Sequence, residues 1–218
     1  MRSAAFFDMD FTLLDIYTAA SHARFLVREG FVQKRDLTRV GIRMGLFRFG
    51  MVSDPRPSMW RVARLLEGLD AAVVKRQAEE WVESDLSGHL RPAALTHLDG
   101  HRRQGDVLVL MTSSLSCPAE QLAAYLDIPF VVSNVLEIGS DGRYTGQLSG
   151  PVCFGETKSQ CLDEFTTQND VDPGISTFYT DSHHDIPVLR EFGDPRPVNP
   201  DRILKAEALK NGWPVLLW

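Results

Sequence analysis

The chain has 218 residues, 44% of them hydrophobic and 24% charged, with a formal net charge of -6. Such a chain suits one large soluble domain, or a core with a smaller insertion, and can bury a substantial interior. The acidic balance without a basic block argues against nucleic acid as a partner, and no apolar run is long enough to span a bilayer. The opening residues meet Asp8 too soon for a secretory apolar segment, and Cys117, Cys153 and Cys161 form no Cys-x-x-Cys pair. Free thiols in a reducing, cytoplasmic setting are therefore expected.

Ala4–Phe7 is an apolar run that predicts a short buried strand, and Asp8-Met9-Asp10-Phe11-Thr12 follows where it ends. Open α/β sheets bind their ligands beyond the carboxyl ends of strands, so two carboxylates at that point have an address suited to chemistry. Neighbouring carboxylates repel, and a hard cation such as Mg²⁺ is a simple way to keep both ionised. The alternative is that an Asp-rich strand end merely caps the next helix. From Asp15 the spacing turns helical. Ile16, Ala19, Ala20, Ala23, Phe25, Leu26 and Val27 make an amphipathic run that Gly30 stops. Leu37–Phe49 makes a second run, with Val40, Met44 and Phe47 on one stripe and Arg39, Arg43 and Arg48 on a basic face. Asp54-Pro55-Arg56-Pro57 is a breaker, and Met59–Leu66 and Ala71–Val82 predict two further helices.

Pro92–Arg103 predicts a helix that leads into a buried parallel strand over Asp106–Met111. That strand ends in a hydroxyl-rich loop, Thr112-Ser113-Ser114-Leu115-Ser116, before a helix over Pro118–Leu126. A strand, a small-residue loop and a helix amino terminus together make an anion site, although simple capping would use one of these hydroxyls. Phe130-Val131-Val132 is another strand, and Val135–Ile138 faces Arg143–Leu148 across the turn Ser140-Asp141-Gly142. A helix running through Phe165 begins near Lys158. A lysine in a first turn opposes the helix dipole, so it either faces solvent or serves an anion. Thr177–Thr180 is the last clear core strand, delivering Asp181, with Asp185 four residues on. Ile186–Phe192 is a short helix, and Pro197-Val198 and Pro214–Leu217 are edge strands around a helix over Asp201–Asn211. The alternation predicts an α/β fold: a Rossmann-like parallel-sheet core, residues 1–14 and 92–218, with a helical cap, residues 15–91, inserted after the first strand.

Four segments at strand ends thus carry Asp8 with Asp10, Thr112, Lys158, and Asp181 with Asp185. In this order they resemble the four motifs of the haloacid dehalogenase-like superfamily of phosphatases. The cap position, the hairpin and the runs Asp141-Gly142-Arg143-Tyr144-Thr145-Gly146 and Val198-Asn199-Pro200-Asp201 look like its phosphoserine-phosphatase-like subclass, often labelled IB. The resemblance covers nearly the whole chain. It implies a Mg²⁺-dependent phosphomonoesterase in which Asp8 attacks phosphorus and becomes an aspartyl phosphate, while Asp10 serves as general acid and then base. It implies phosphate binding by Thr112, the N–H groups after it at Ser113, and Lys158. Metal binding would fall to Asp8, the Asp10 backbone carbonyl and Asp181, with Asp185 orienting the metal or its waters. The implied partner is a small phosphorylated metabolite. Tyr17, Arg43, Arg48 and Arg56 are candidates for the leaving group.

The chain departs from the family at two points. Phe11 stands where Gly is common, and Tyr17 stands where phosphoserine phosphatases carry the Glu that holds the substrate amine. Serine phosphate is therefore not the expected substrate; histidinol phosphate, phosphorylated amino alcohols, glycerol phosphates and lipid head-group phosphates remain. His183 and His184 are read as loop residues near the entrance. Competing readings are a phosphotransferase or mutase of the same fold and a catalytically silent phosphate-binding module. A dehalogenase is disfavoured, because that branch lacks the second carboxylate supplied here by Asp10.

Overall fold

The computed structural model describes residues 1–31, 33 and 56–218. The helix expected over Leu37–Phe49, with Arg43 and Arg48, lies outside the described residues. Six strands form one sheet in the order β4-β3-β2-β1-β5-β6. They are β1 (Ala4–Phe7), β2 (Val107–Leu115), β3 (Phe130–Ile138), β4 (Tyr144–Ser149), β5 (Thr177–Thr180) and β6 (Asp194–Pro197). All neighbouring pairs are parallel except β3 with β4, the hairpin that the Asp-Gly turn predicts. The α/β class and mostly parallel sheet agree with the sequence reading.

β1 is apolar at every position because it is buried on both faces. Its alternate residues divide between two cores: Ala5 and Phe7 enter one, Ala4 and Phe6 the other. Phe7 stacks on Tyr179 with ring centroids 4.6 Å apart, while Phe6 meets Phe165 and Phe192 edge-on at 5.6 and 5.0 Å. The first core is shared with the helices that separate β1 from β2, α1 (Thr18–Arg28), α2 (Arg56–Leu65) and α3 (Ala71–Trp81). α4 (Pro92–Gln104) then leads into β2, and α5 (Ser116–Tyr125) leads away from it. Asp70 starts α3 by accepting from the Ala72 and Val73 N–H groups, and Gly105 ends α4 at φ 80.

Two backbone pairings hold the segment between β1 and α4, one closing its base and one tying it to the sheet. At its base Asp15 N donates to His89 O at 3.0 Å and Arg91 N to Leu13 O at 2.9 Å, so the chain enters and leaves side by side. At its far end Gly68 N donates to Tyr144 O at 2.8 Å and Tyr144 N to Leu69 O at 3.0 Å, adding a short extended segment to the hairpin. α3 also rests on α5 through Val74, Ala78, Ala119 and Leu122.

Three elements differ from the sequence expectation, and of these Pro214–Leu217 forms no strand, its backbone pairing being the isolated bridge of Leu216 to Val198. The hydroxyl-rich segment Thr112–Leu115 continues β2 instead of forming a loop: Met111 pairs with Val132 and Leu115 with Asn134, so four steps along β2 oppose two along β3. This bulge keeps the strand paired while re-aiming the residues inside it. β6, of sequence Asp-Pro-Arg-Pro, begins earlier than the predicted Pro197, because the open edge of β5 recruits it. Two prolines are tolerated at an outermost strand.

Candidate active site

β1, β2 and β5 are parallel neighbours, so Asp8, Thr112–Ser114 and Asp181 emerge on one edge of the sheet. Asp8 N donates to Tyr179 O at 2.9 Å, which fixes the first strand end against β5. The chain then turns tightly, with Leu14 N bonded to Met9 O at 3.0 Å and Phe11 at φ 55, ψ 1. That left-handed conformation costs a non-glycine residue about 1–2 kcal/mol, which explains why glycine suits this position. The turn separates the two carboxylates. Asp10 Oδ1 accepts from the Thr18 N–H at 2.9 Å at the amino end of α1, where the helix dipole favours a negative charge.

Lys158 belongs to α6 (Glu156–Asn169), and its side chain is only 1% exposed, so it does not face solvent. Its Nζ lies 2.9 Å from Asp185 Oδ2 and 3.8 Å from Asp8 Oδ1. Thr180 Oγ1 donates to the same Asp185 oxygen at 2.7 Å. Burial works against the Lys158 ammonium, but Asp185 and Asp8 outweigh it and hold the group above its ordinary range. Burial pushes the Asp8 carboxyl up to about 7; Lys158 pulls it down, while Asp185 and Asp10 raise it further. One ammonium therefore leaves Asp8 short of positive charge. Among the described residues no three His, Cys, Asp or Glu side chains gather as a preformed metal cage. The donors expected from the sequence, Asp8, the Asp10 carbonyl and Asp181, are all oxygens, the chemistry that suits a hard divalent cation.

On the other side of Asp8, Thr112 is buried and its Oγ1 accepts from Ser114 N at 3.2 Å. Ser114 Oγ lies 3.3 Å from Thr18 Oγ1, so the β2 bulge and the start of α1 meet. After β5, His183 is held by Asp201, whose Oδ2 accepts from His183 N at 2.8 Å and faces Nδ1 at 2.6 Å. Asp201 Oδ1 caps α7 (Arg202–Asn211) through the Ile203 and Leu204 N–H groups. The His183 and His184 rings lie 4.0 Å apart in this loop.

Asp8, Lys158 and Asp185 are thus in contact, with Asp10, Thr112, Ser113 and Asp181 on the surrounding strand ends. Tyr17 is the residue before α1, next to Thr18, and Arg56 opens α2 at the surface. Sequence reasoning missed Thr18, Asn134 and Thr180, and it quoted Asp201 in a family-like run without giving it a role. Only Asn134 left a signal, a lone amide within an otherwise strand-like run. The three cysteines are free thiols, and no helix among the described residues is long and apolar enough to cross a membrane.

The strand ends of a mostly parallel α/β sheet thus converge on a buried Asp–Lys–Asp cluster, at the edge where such sheets bind their ligands. The haloacid dehalogenase-like hydrolase model matches residues 5–190, and the chain belongs to that family. It is 27% identical to an inhibition of morphological differentiation protein of Streptomyces azureus, over 99% of this chain and 78% of the relative. It is 26% identical to a histidinol-phosphatase of Neisseria meningitidis, over 99% of both chains. A solved protein of unknown function from Bordetella pertussis superposes with a TM-score of 0.87 at 26% identity, covering 99% of this chain and 98% of that one. Solved phosphoserine phosphatases share the fold at lower identity.

Proposed function

We propose that this hydrolase is a Mg²⁺-dependent phosphomonoesterase that cleaves a small phosphorylated metabolite through an aspartyl phosphate on Asp8. The observation that carries this reading is the buried Lys158 ammonium between Asp8 and Asp185, a cation placed where a phosphoryl group would meet the Asp8 carboxylate. Bound Mg²⁺ would neutralise phosphoryl charge and keep Asp8 ionised; Asp8, the Asp10 carbonyl and Asp181 would hold it, and Asp185 would orient it. Thr112, the Ser113 N–H and Lys158 hold the phosphoryl oxygens. An Asp8 oxygen forms a bond to phosphorus as the ester P–O bond breaks, and Asp10 gives its proton to the departing alcohol. Asp10 then takes a proton from water, whose oxygen bonds to phosphorus as the Asp8–phosphorus bond breaks, releasing inorganic phosphate.

In this reading residues 1–14 and 92–218 carry the chemistry in the cytoplasm, and residues 15–91 form the cap that selects the alcohol through Tyr17, Arg56, Arg43 and Arg48. Histidinol phosphate is the first substrate to try, because the Neisseria relative of that activity matches over nearly its whole length. The test is phosphate release from small phosphomonoesters, histidinol phosphate among them, with Mg²⁺ and again with EDTA. Metal-dependent release from one or a few esters is expected. Asp8→Asn should abolish it without loss of melting temperature, since a neutral amide relieves the buried charge. Turnover retained by that variant would remove Asp8 as nucleophile.

A further inference from the structure

Asn134 is a buried side-chain amide bonded to the phosphate-holding segment, and the reaction scheme leaves it without a task; it is 1% exposed. An amide buried within the run Phe130-Val131-Val132-Ser133-Asn134-Val135-Leu136 is costly unless both its ends are bonded. Both are. Nδ2 donates to Ser113 O at 2.7 Å and Oδ1 accepts from Cys153 N at 2.8 Å. A carbonyl on one side and an N–H on the other leave a single orientation for the amide. Met59 Sδ of α2 lies 3.9 Å from the same Nδ2.

The consequence follows from peptide geometry. The C=O and N–H of one trans peptide point in opposite directions. A Ser113 carbonyl held at Asn134 therefore turns the Ser114 N–H the other way, and that N–H meets Thr112 Oγ1 at 3.2 Å. Within the β2 bulge, where regular strand pairing does not dictate the peptide plane, the side chain does so instead. A flipped peptide would present a carbonyl oxygen to the Thr112 hydroxyl in place of an N–H, and would draw that hydroxyl's proton away from a phosphoryl oxygen.

We propose that Asn134 is a positioning residue for phosphoryl recognition. It locks the Ser113–Ser114 peptide with its N–H toward the Thr112 hydroxyl and ties that peptide, through Cys153, to the loop that enters the Lys158 helix. The inference rests on the proposed phosphate-binding role of Thr112, Ser113 and Lys158.

The test compares Asn134→Asp with wild type in competitive inhibition by inorganic phosphate and in kcat and KM on the best ester, from acid to alkaline pH. An ionised carboxylate repels the Ser113 carbonyl and releases the peptide. Phosphate binding should then weaken by about tenfold or more, the worth of a hydrogen bond to a charged group. A protonated carboxyl can donate as the amide does, so the ratio of variant to wild-type inhibition constants should fall toward one as the pH is lowered. Asn134→Ser, small and neutral, should show the loss without that pH dependence. Ser176→Ala removes a buried bond to Ala4 N of 2.9 Å at the opposite end of β1 and serves as the stability control. It should lower the melting temperature and keep the wild-type inhibition constant. An Asn134→Asp enzyme with wild-type phosphate binding at every pH, or a loss that does not change with pH, overturns the inference. Failure of the wild type to bind phosphate or to cleave any ester instead overturns the phosphatase reading, and this inference with it.

Discussion

His22 lies on the inner face of α1, 8% exposed, with its ring 4.8 Å from that of Trp81 and its Nε2 without a hydrogen-bond partner. Burial pushes the imidazole from 6.5 down to about 4. A group with a depressed folded-state value binds a proton more readily when unfolded, so its contribution to stability is full above pH 6.5 and is lost as the pH falls toward 4. The loss is of order 3 kcal/mol in total and about 2 kcal/mol by pH 5. His22→Phe keeps the ring and removes the titration. Its melting temperature should fall less between pH 7 and pH 5 than that of the wild type, and parallel curves would show that His22 carries no such linkage. At this scale the sequence was readable where a residue sits in a strand-end motif, as Asp8 and Asp181 do. It did not give the bonds of Thr180 to Asp185 or of Asp201 to His183, which are chosen by three-dimensional proximity.

α6 owes its starting point to Gly155, at φ 56 and ψ -131, a conformation open only to glycine. Lys158 N bonds to Gly155 O at 3.0 Å, so this backbone fixes where the helix begins and where the lysine enters. A methyl group there would meet no atom within 4 Å, and the cost of Gly155→Ala is therefore one of backbone strain alone, about 1–3 kcal/mol. The variant should lose both melting temperature and kcat, whereas Gly88→Ala, also in open space but without a positive φ, should leave both near wild type. A variant at 155 with unchanged kcat would detach Lys158 placement from this turn. Elements with a clear period were legible: Ala4–Phe7 and Thr177–Thr180 have the bounds expected of them. The end of β2 was not, because Thr112-Ser113-Ser114 has loop composition and becomes strand only through its pairing with β3. The edge strand β6 was only half legible for the same reason, its two prolines reading as a turn until β5 supplies a partner.

For the molecule as a whole, the excess of carboxylates at the sheet edge predicts that a divalent cation stabilises the folded state. At a hundred times its dissociation constant, Mg²⁺ should add about 2.7 kcal/mol. For a chain of this length that is a rise in melting temperature of about 5–10 °C, reversed by EDTA. A melting temperature indifferent to Mg²⁺ would remove the metal site from the proposal. The order of strands has a further consequence, for the newborn chain. β1 is made first yet stands in the middle of the sheet, and its two neighbours begin only at residues 107 and 177. An emerging polypeptide therefore carries its most apolar strand with both edges unpaired until β2 arrives, and with one edge open until β5 does. Folding must wait for contacts distant in sequence, which slows it and exposes the chain to association in the meantime. A chain released before residue 177 would keep that open edge permanently, and the ribosome would be delivering an aggregation seed in place of an enzyme.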